Sequence, residues 1–134
     1  MAVSMIRLSG DQINSYIDDL ARLRIEVFRS FPYLYDGDMA YERKYLDTYA
    51  RSPESLFVLA MDGESVIGAA TGIPMDHETE EFKGPFIEQG YDPEKIFYFG
   101  ESVLLPDYRG QGIGVAFFDH REGHAREQGR FTHC

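Results

Sequence analysis

Tryptophan is absent from this 134-residue chain, and cysteine occurs once, at Cys134. One cysteine excludes an intrachain disulfide and the disulfide-stapled class of small secreted domain, so a reducing, cytoplasmic location is expected. No apolar run approaches the roughly 20 residues that a bilayer-spanning helix requires, which excludes a membrane protein of that kind. The opening "MAVSMIRLSGDQ" has neither the charged start nor the apolar core of a signal peptide. Basic residues are few: 13 Lys and Arg against 23 Asp and Glu give a net charge of −10. Nucleic-acid binding depends on neutralising phosphates with Lys and Arg, so this balance disfavours it. A negative field instead suits cationic small molecules or basic peptides. Internal repeats and low-complexity linkers are also missing.

What is present points to a packed globule. Ten Phe and nine Tyr accompany a hydrophobic fraction of 43%, and the length suits one domain spanning 1–134. "SMIRL" (4–8) reads as a short strand. A helix is expected over 11–29, capped by Ser9 or Asp11, because Ile13, Tyr16, Ile17, Leu20, Leu23, Val27 and Phe28 recur at helical spacing. A loop over 31–38 and a second helix over 39–51 follow, with Tyr41, Tyr45, Leu46 and Tyr49 on its apolar stripe. Residues 55–75 read as a hairpin turning at Asp62-Gly63, through a type I′ turn. The stretch 76–94 holds seven acidic residues and one lysine, and reads as an inserted loop with a helical turn or two. A strand over 95–105 and a helix over 112–129, closed by Gly129, complete the pattern. A crossover helix delivers the chain to a parallel neighbour, expected to begin at Phe131. The order is β-α-α-β-β-(insert)-β-α-β.

"LLPDYRGQGIG" (104–114) carries the chemistry. A strand that enters a glycine-rich turn and then a helix makes an anion site, because the first helical N–H groups have no acceptors within the helix. Glycines let those amides approach an anion, and Arg109 adds a charged donor. The dinucleotide pattern G-x-G-x-x-G fails: starting at Gly110 its third glycine position holds Val115, and starting at Gly112 it holds Phe117. A Walker loop needs Gly-Lys-Ser/Thr, which is absent. Arg109-x-x-Gly112-x-Gly114 remains. In the setting "SVLLPDYRGQGIGVAFF", with the upstream elements in this order, the chain resembles the GNAT superfamily, the GCN5-related N-acetyltransferases.

That resemblance implies an α/β fold with a mixed, mostly antiparallel sheet flanked by helices. It implies N-acetyl transfer from acetyl-CoA, with no metal, to a small-molecule or peptide amine of cationic character. The pyrophosphate of the donor would sit on Arg109, Gly110, Gln111, Gly112, Ile113 and Gly114. Its pantetheine arm would pair with backbone groups of Val103 and Leu104, as an added strand does. The backbone N–H of Leu104 would serve as oxyanion donor. Glu101, an acid in an otherwise apolar strand, is the candidate general base. Tyr33, Tyr35 and Asp36, with Asp38, would flank the acceptor cleft, and the insert 76–94 would cover it.

His120 and His124 stand one helical turn apart, a spacing that can hold a metal, but no third ligand accompanies them. A complete domain of the resembled family continues after the fifth strand, so the chain reads as truncated there. An unfinished sheet gives a second reading: a non-catalytic acyl-CoA-binding or partner-completed module, including a homodimer.

Overall fold

The computed structural model describes residues 3–30 and 32–134; Phe31 of the expected first loop lies outside them. Four strands form one antiparallel sheet in the order β1-β2-β3-β4: β1 (Val3–Leu8), β2 (Leu56–Asp62), β3 (Ser65–Pro74) and β4 (Phe97–Leu104). The helices α1 (Ile17–Arg29) and α2 (Met39–Ala50) cover one face. Helix α4 (Ile113–Gln128) covers the other, and α3 (Glu80–Glu88) lies in the acidic insert. After α4 the chain returns beside the start of β4, where His133 bridges Ile96 in parallel and Phe97 N–H donates to His133 O at 2.9 Å. That is the direction expected of a crossover helix, but the contact is an isolated bridge at His133 and not the strand expected to begin at Phe131.

Strand alternation sorts the core into two layers. Phe57, Leu59 and Met61 of β2 pack with Leu20, Leu23, Leu46 and Tyr49 of α1 and α2. Leu56, Val58 and Ala60 pack with Ile113, Phe117 and Ala125 of α4. Both faces of β2 are therefore buried, and its sequence reads as a continuous apolar run rather than an alternation.

Three elements differ from their sequence reading. The expected first helix opens as a tight 3₁₀ stretch, Gly10–Tyr16, before α1 proper. Ser9 N–H donates to Gln12 Oε1 at 2.9 Å, which closes that first turn. The hairpin loop is Gly63–Glu64, one residue later than expected, with Asp62 paired to Ser65. Only Gly63 takes a positive φ there, the II′ pattern rather than I′. On α2 the buried stripe is Glu42, Leu46, Tyr49 and Ala50, while Tyr41 is exposed. An acid thus occupies a core position that apolar periodicity had given to a tyrosine.

Candidate functional site

Strand β4 carries an irregularity on which the site depends. Ala70 pairs with Ser102 and Gly72 with Phe99, so Gly100 and Glu101 together oppose the single residue Thr71. This is a β-bulge, and it exchanges the faces of the strand. Before it, Phe97 and Phe99 point to the α4 layer; after it, Val103 points to the α1/α2 layer and Leu104 to α4. Gly100 is required for close approach, because a Cβ there would lie 2.5 Å from both Thr71 Oγ1 and Tyr49 OH. Without the extra residue, Glu101 would follow Phe97 and Phe99 toward α4. With it, Glu101 turns toward α1 and α2.

There Glu101 meets a charged network that the sequence reading did not anticipate. Arg24 of α1 donates Nη1 to Glu101 Oε2 and Nε to Glu42 Oε2. Tyr45 OH donates to Glu101 Oε1 and Tyr35 OH to Glu42 Oε1, each at 2.9 Å. The Arg24 guanidinium also lies over the Tyr45 ring, 4.3 Å from its centroid. Glu42 is fully buried, whereas the Glu101 side chain keeps 18% exposure. A carboxylate offers about four acceptor positions, so Glu101 retains free lone pairs beside those Arg24 and Tyr45 occupy. Burial and the Glu42 hydrogen bond push the Tyr35 hydroxyl pKa up. The missed signal was phase: Arg24 lies midway between Leu20 and Phe28, and Glu42 four residues before Leu46, so both charges fall on apolar stripes.

The cluster continues along the sheet. Tyr49 is fully buried with its hydroxyl unpartnered, and burial pushes its pKa up. Glu78, at the start of the insert, is buried, which pushes its carboxyl up against a backbone hydrogen bond from Thr79. Phe82 of α3 packs on Tyr98 of β4, their ring centroids 5.7 Å apart and the rings tilted by 44°, so α3 lies against this face. Of the acceptor-side residues expected from sequence, Tyr35 joins the network. Tyr33 and Asp36 are exposed and do not.

On the far side of the bulge, β4 leads into the glycine turn. Leu105 N–H donates to Ile67 O, which fixes the alternation: Val103 directs its backbone groups to Ala69 of β3, and Leu104 directs its own outward. Arg109 folds back and donates Nε and Nη2 to Leu104 O at 3.2 and 3.0 Å, closing the turn. Gly110 and Gly112 take φ of +80° and +81°, and Gly112 caps α4. A Cβ at Gly110, Gly112 or Gly114 would meet nothing within 4 Å, so the space before the helix start is open. Ala116 N–H is bonded to Gly112 O, while the earlier amides of the helix have no acceptor within it. Exposed amides on a 16-residue helix, with an arginine beside them, fit an acyl-CoA pyrophosphate.

The histidines have structural partners. His120 Nδ1 accepts from Arg7 at 2.8 Å, and buried His124 contacts Glu54 O through Nε2 at 2.9 Å. No group of three metal-binding side chains occurs among the described residues. No helix of these residues is long and apolar enough to cross a membrane.

The antiparallel sheet flanked by helices, with its bulged edge strand running into a glycine-relaxed helix start, has the fold of solved acetyltransferases. The family model described as the acetyltransferase (GNAT) family matches residues 18–134, and the chain belongs to that family. Among solved structures it is similar to the aminoglycoside N-acetyltransferase AAC(6')-Iy in complex with CoA. The TM-score is 0.68 and the identity 11%, over 98% of this chain and 74% of that one. It is also similar to an aminoglycoside acetyltransferase from an uncultured soil metagenomic sample in complex with sisomicin (TM-score 0.62, 20% identity, 98% and 74%). A third is the ribosomal-protein-alanine N-acetyltransferase of Brucella melitensis biovar Abortus 2308 (TM-score 0.63, 17% identity, 99% and 77%). No curated protein matches the sequence.

Proposed function

We propose that this chain transfers an acetyl group from acetyl-CoA to a cationic amine, with Glu101 as general base. The observation that carries the reading is the bulge, which sets Glu101 and the outward backbone of Leu104 on one short stretch of an open strand. The donor supplies an activated thioester carbonyl. Arg109 and the amides from Gly110 to Gly114 would hold its pyrophosphate. The outward N–H of Leu104 would stabilise negative charge on the carbonyl oxygen, and the adjoining backbone would guide the pantetheine arm. Val103, whose backbone turns to β3 and whose side chain is buried against α1 and α2, is left out of this reading of the donor contacts.

An amine is mostly protonated near neutral pH, so Glu101 would remove its proton directly or through water. Tyr45 and Arg24 hold the carboxylate in place, and Tyr98 of β4 with Phe82 and Glu78 of the insert would supply an aromatic and acidic wall. The net charge of −10 favours cations at this wall. AAC(6')-Iy has been captured with the bisubstrate analogue CoA-S-monomethyl-acetylneamine, which supports an amine acceptor here. Glu101→Gln keeps the shape and removes the base. Turnover should fall on the order of 10²-fold, with acetyl-CoA affinity by calorimetry unchanged. Turnover within about twofold of the parent would assign Glu101 to structure.

The ion pair with Arg24 favours a second reading, in which Glu101 anchors α1 to β4 and the chain binds acyl-CoA without catalysis. That reading requires CoA binding in the parent and no acetyl transfer to any amine.

A further inference from the structure

The bulge that aims Glu101 leaves two backbone carbonyls to be satisfied in the sheet, and one buried side chain takes both. Arg121 of α4 is 2% exposed. Its Nη1 donates to Thr71 O at 3.3 Å and to Glu101 O at 3.2 Å, and its Nη2 donates to Ser102 Oγ at 2.9 Å. The guanidinium lies over the rings of Phe99 and Phe118, 4.7 and 4.6 Å from their centroids. On the other side of the same residue, Glu101 N–H donates to Thr71 Oγ1 at 3.0 Å. Glu101 is thus gripped on both of its backbone groups, by Thr71 from β3 and by Arg121 from the face opposite its carboxylate.

We propose that Arg121 is a positioning residue for the acetyl-transfer reaction: by holding the bulge at Gly100–Glu101 it keeps Glu101 on the α1/α2 face and the backbone of Leu104 turned outward. The proposal rests on the reading given above and adds a residue on α4 to it. The physical case is one of competing registers. A bulged strand can relax to regular pairing by shifting one residue, which reverses the face of every side chain beyond the shift. Relaxation here would carry Glu101 toward Phe99 and Phe118 and turn Leu104 inward. The shift would also leave the Arg121 guanidinium buried without its carbonyl partners, a costly loss for a charged group. Arg121 therefore penalises the regular register as well as satisfying the bulged one. Lysine at this position keeps the charge but loses the fork that reaches three acceptors at once.

Arg121→Met and Arg121→Lys in the 134-residue chain test this, assayed with acetyl-CoA and a polyamine. In Arg121→Met kcat should fall on the order of 10²-fold, the loss typical of a displaced reacting group. KM for acetyl-CoA should move less than about threefold, because the glycine turn is untouched. Arg121→Lys should recover part of kcat. Hydrogen exchange read by NMR gives a signal independent of turnover. The Glu101 amide should lose protection in Arg121→Met, while the amides of the β2–β3 ladder keep theirs. A folded Arg121→Met chain with parental kcat and a protected Glu101 amide would overturn the proposal. If the parent acetylates no amine, the acetyl-transfer reading fails by itself, and the Glu101 amide still decides whether Arg121 holds the bulge. If Arg121→Met does not fold, the same two readouts on Arg121→Lys decide it.

Discussion

Glu78 shows how a single buried acid constrains the molecule. Burial raises its carboxyl above the ordinary value of 4.5, so the folded chain holds that proton more tightly than the unfolded one. Stability must then fall as pH rises from 4.5 through the folded value, and above that window the whole cost is present. Glu78→Gln mimics the neutral acid. The variant should melt at a higher temperature than the parent near neutral pH, and the gain should vanish below 4.5. Thermal unfolding across that range reads the effect, and a gain that persists in acid would assign it to packing instead. The Arg24 network follows a different rule. Its two carboxylates share one guanidinium, and leaving fully buried Glu42 without it would cost about 3–5 kcal/mol.

Among the elements, α4 brings both halves of the candidate site together: its N-terminus faces the open glycine turn, and its buried side carries Arg121. Gly114 sits in the first turn with open space before it. Gly114→Leu should leave the melting temperature unchanged or raised, since leucine is the better helix former. Its side chain would occupy the space assigned to the pyrophosphate, so the Kd for CoA by calorimetry should rise about tenfold or more, some 1.4 kcal/mol. Unchanged affinity would remove the turn from the donor site. The helices, the hairpin and the glycine turn could be read from sequence because apolar spacing and turn residues act locally. The 3₁₀ opening, Glu42 and Arg121 could not be read that way, since periodicity treats a charge as surface. Yet Phe117, Arg121 and Ala125 recur at four-residue spacing, and a charge inside that stripe is the trace such a residue leaves. Gly100 in mid-strand is likewise the mark of a bulge. Which face Glu101 takes depended on that one extra residue, and pairing across the sheet settles it.

Across the whole molecule, the net charge of −10 acts on both proposed substrates with opposite sign. It attracts a cationic amine and repels the phosphates of acetyl-CoA, and salt weakens both effects. Raising ionic strength from about 0.01 to 0.15 M shortens the screening length from about 30 to 8 Å. KM for the amine should rise over that range, while KM for acetyl-CoA should fall or hold. Initial-rate measurements at fixed pH test the pair of trends, and parallel movement of the two constants would place the field away from the site.

The order of strands in the sheet also bears on how the chain is made. β1 is made before β2, its one sheet neighbour among the described residues, and both α1 and α2 come between them. The apolar sides of these helices therefore emerge before the β2–β3 hairpin that covers them. At about 5–20 residues per second, translating the residues from the end of α2 to the end of β3 takes roughly one to five seconds. For that interval Leu20, Leu23, Leu46 and Tyr49 have no sheet to pack on beyond β1. The nascent chain is then an amphipathic helical pair whose apolar side stays uncovered until the hairpin arrives.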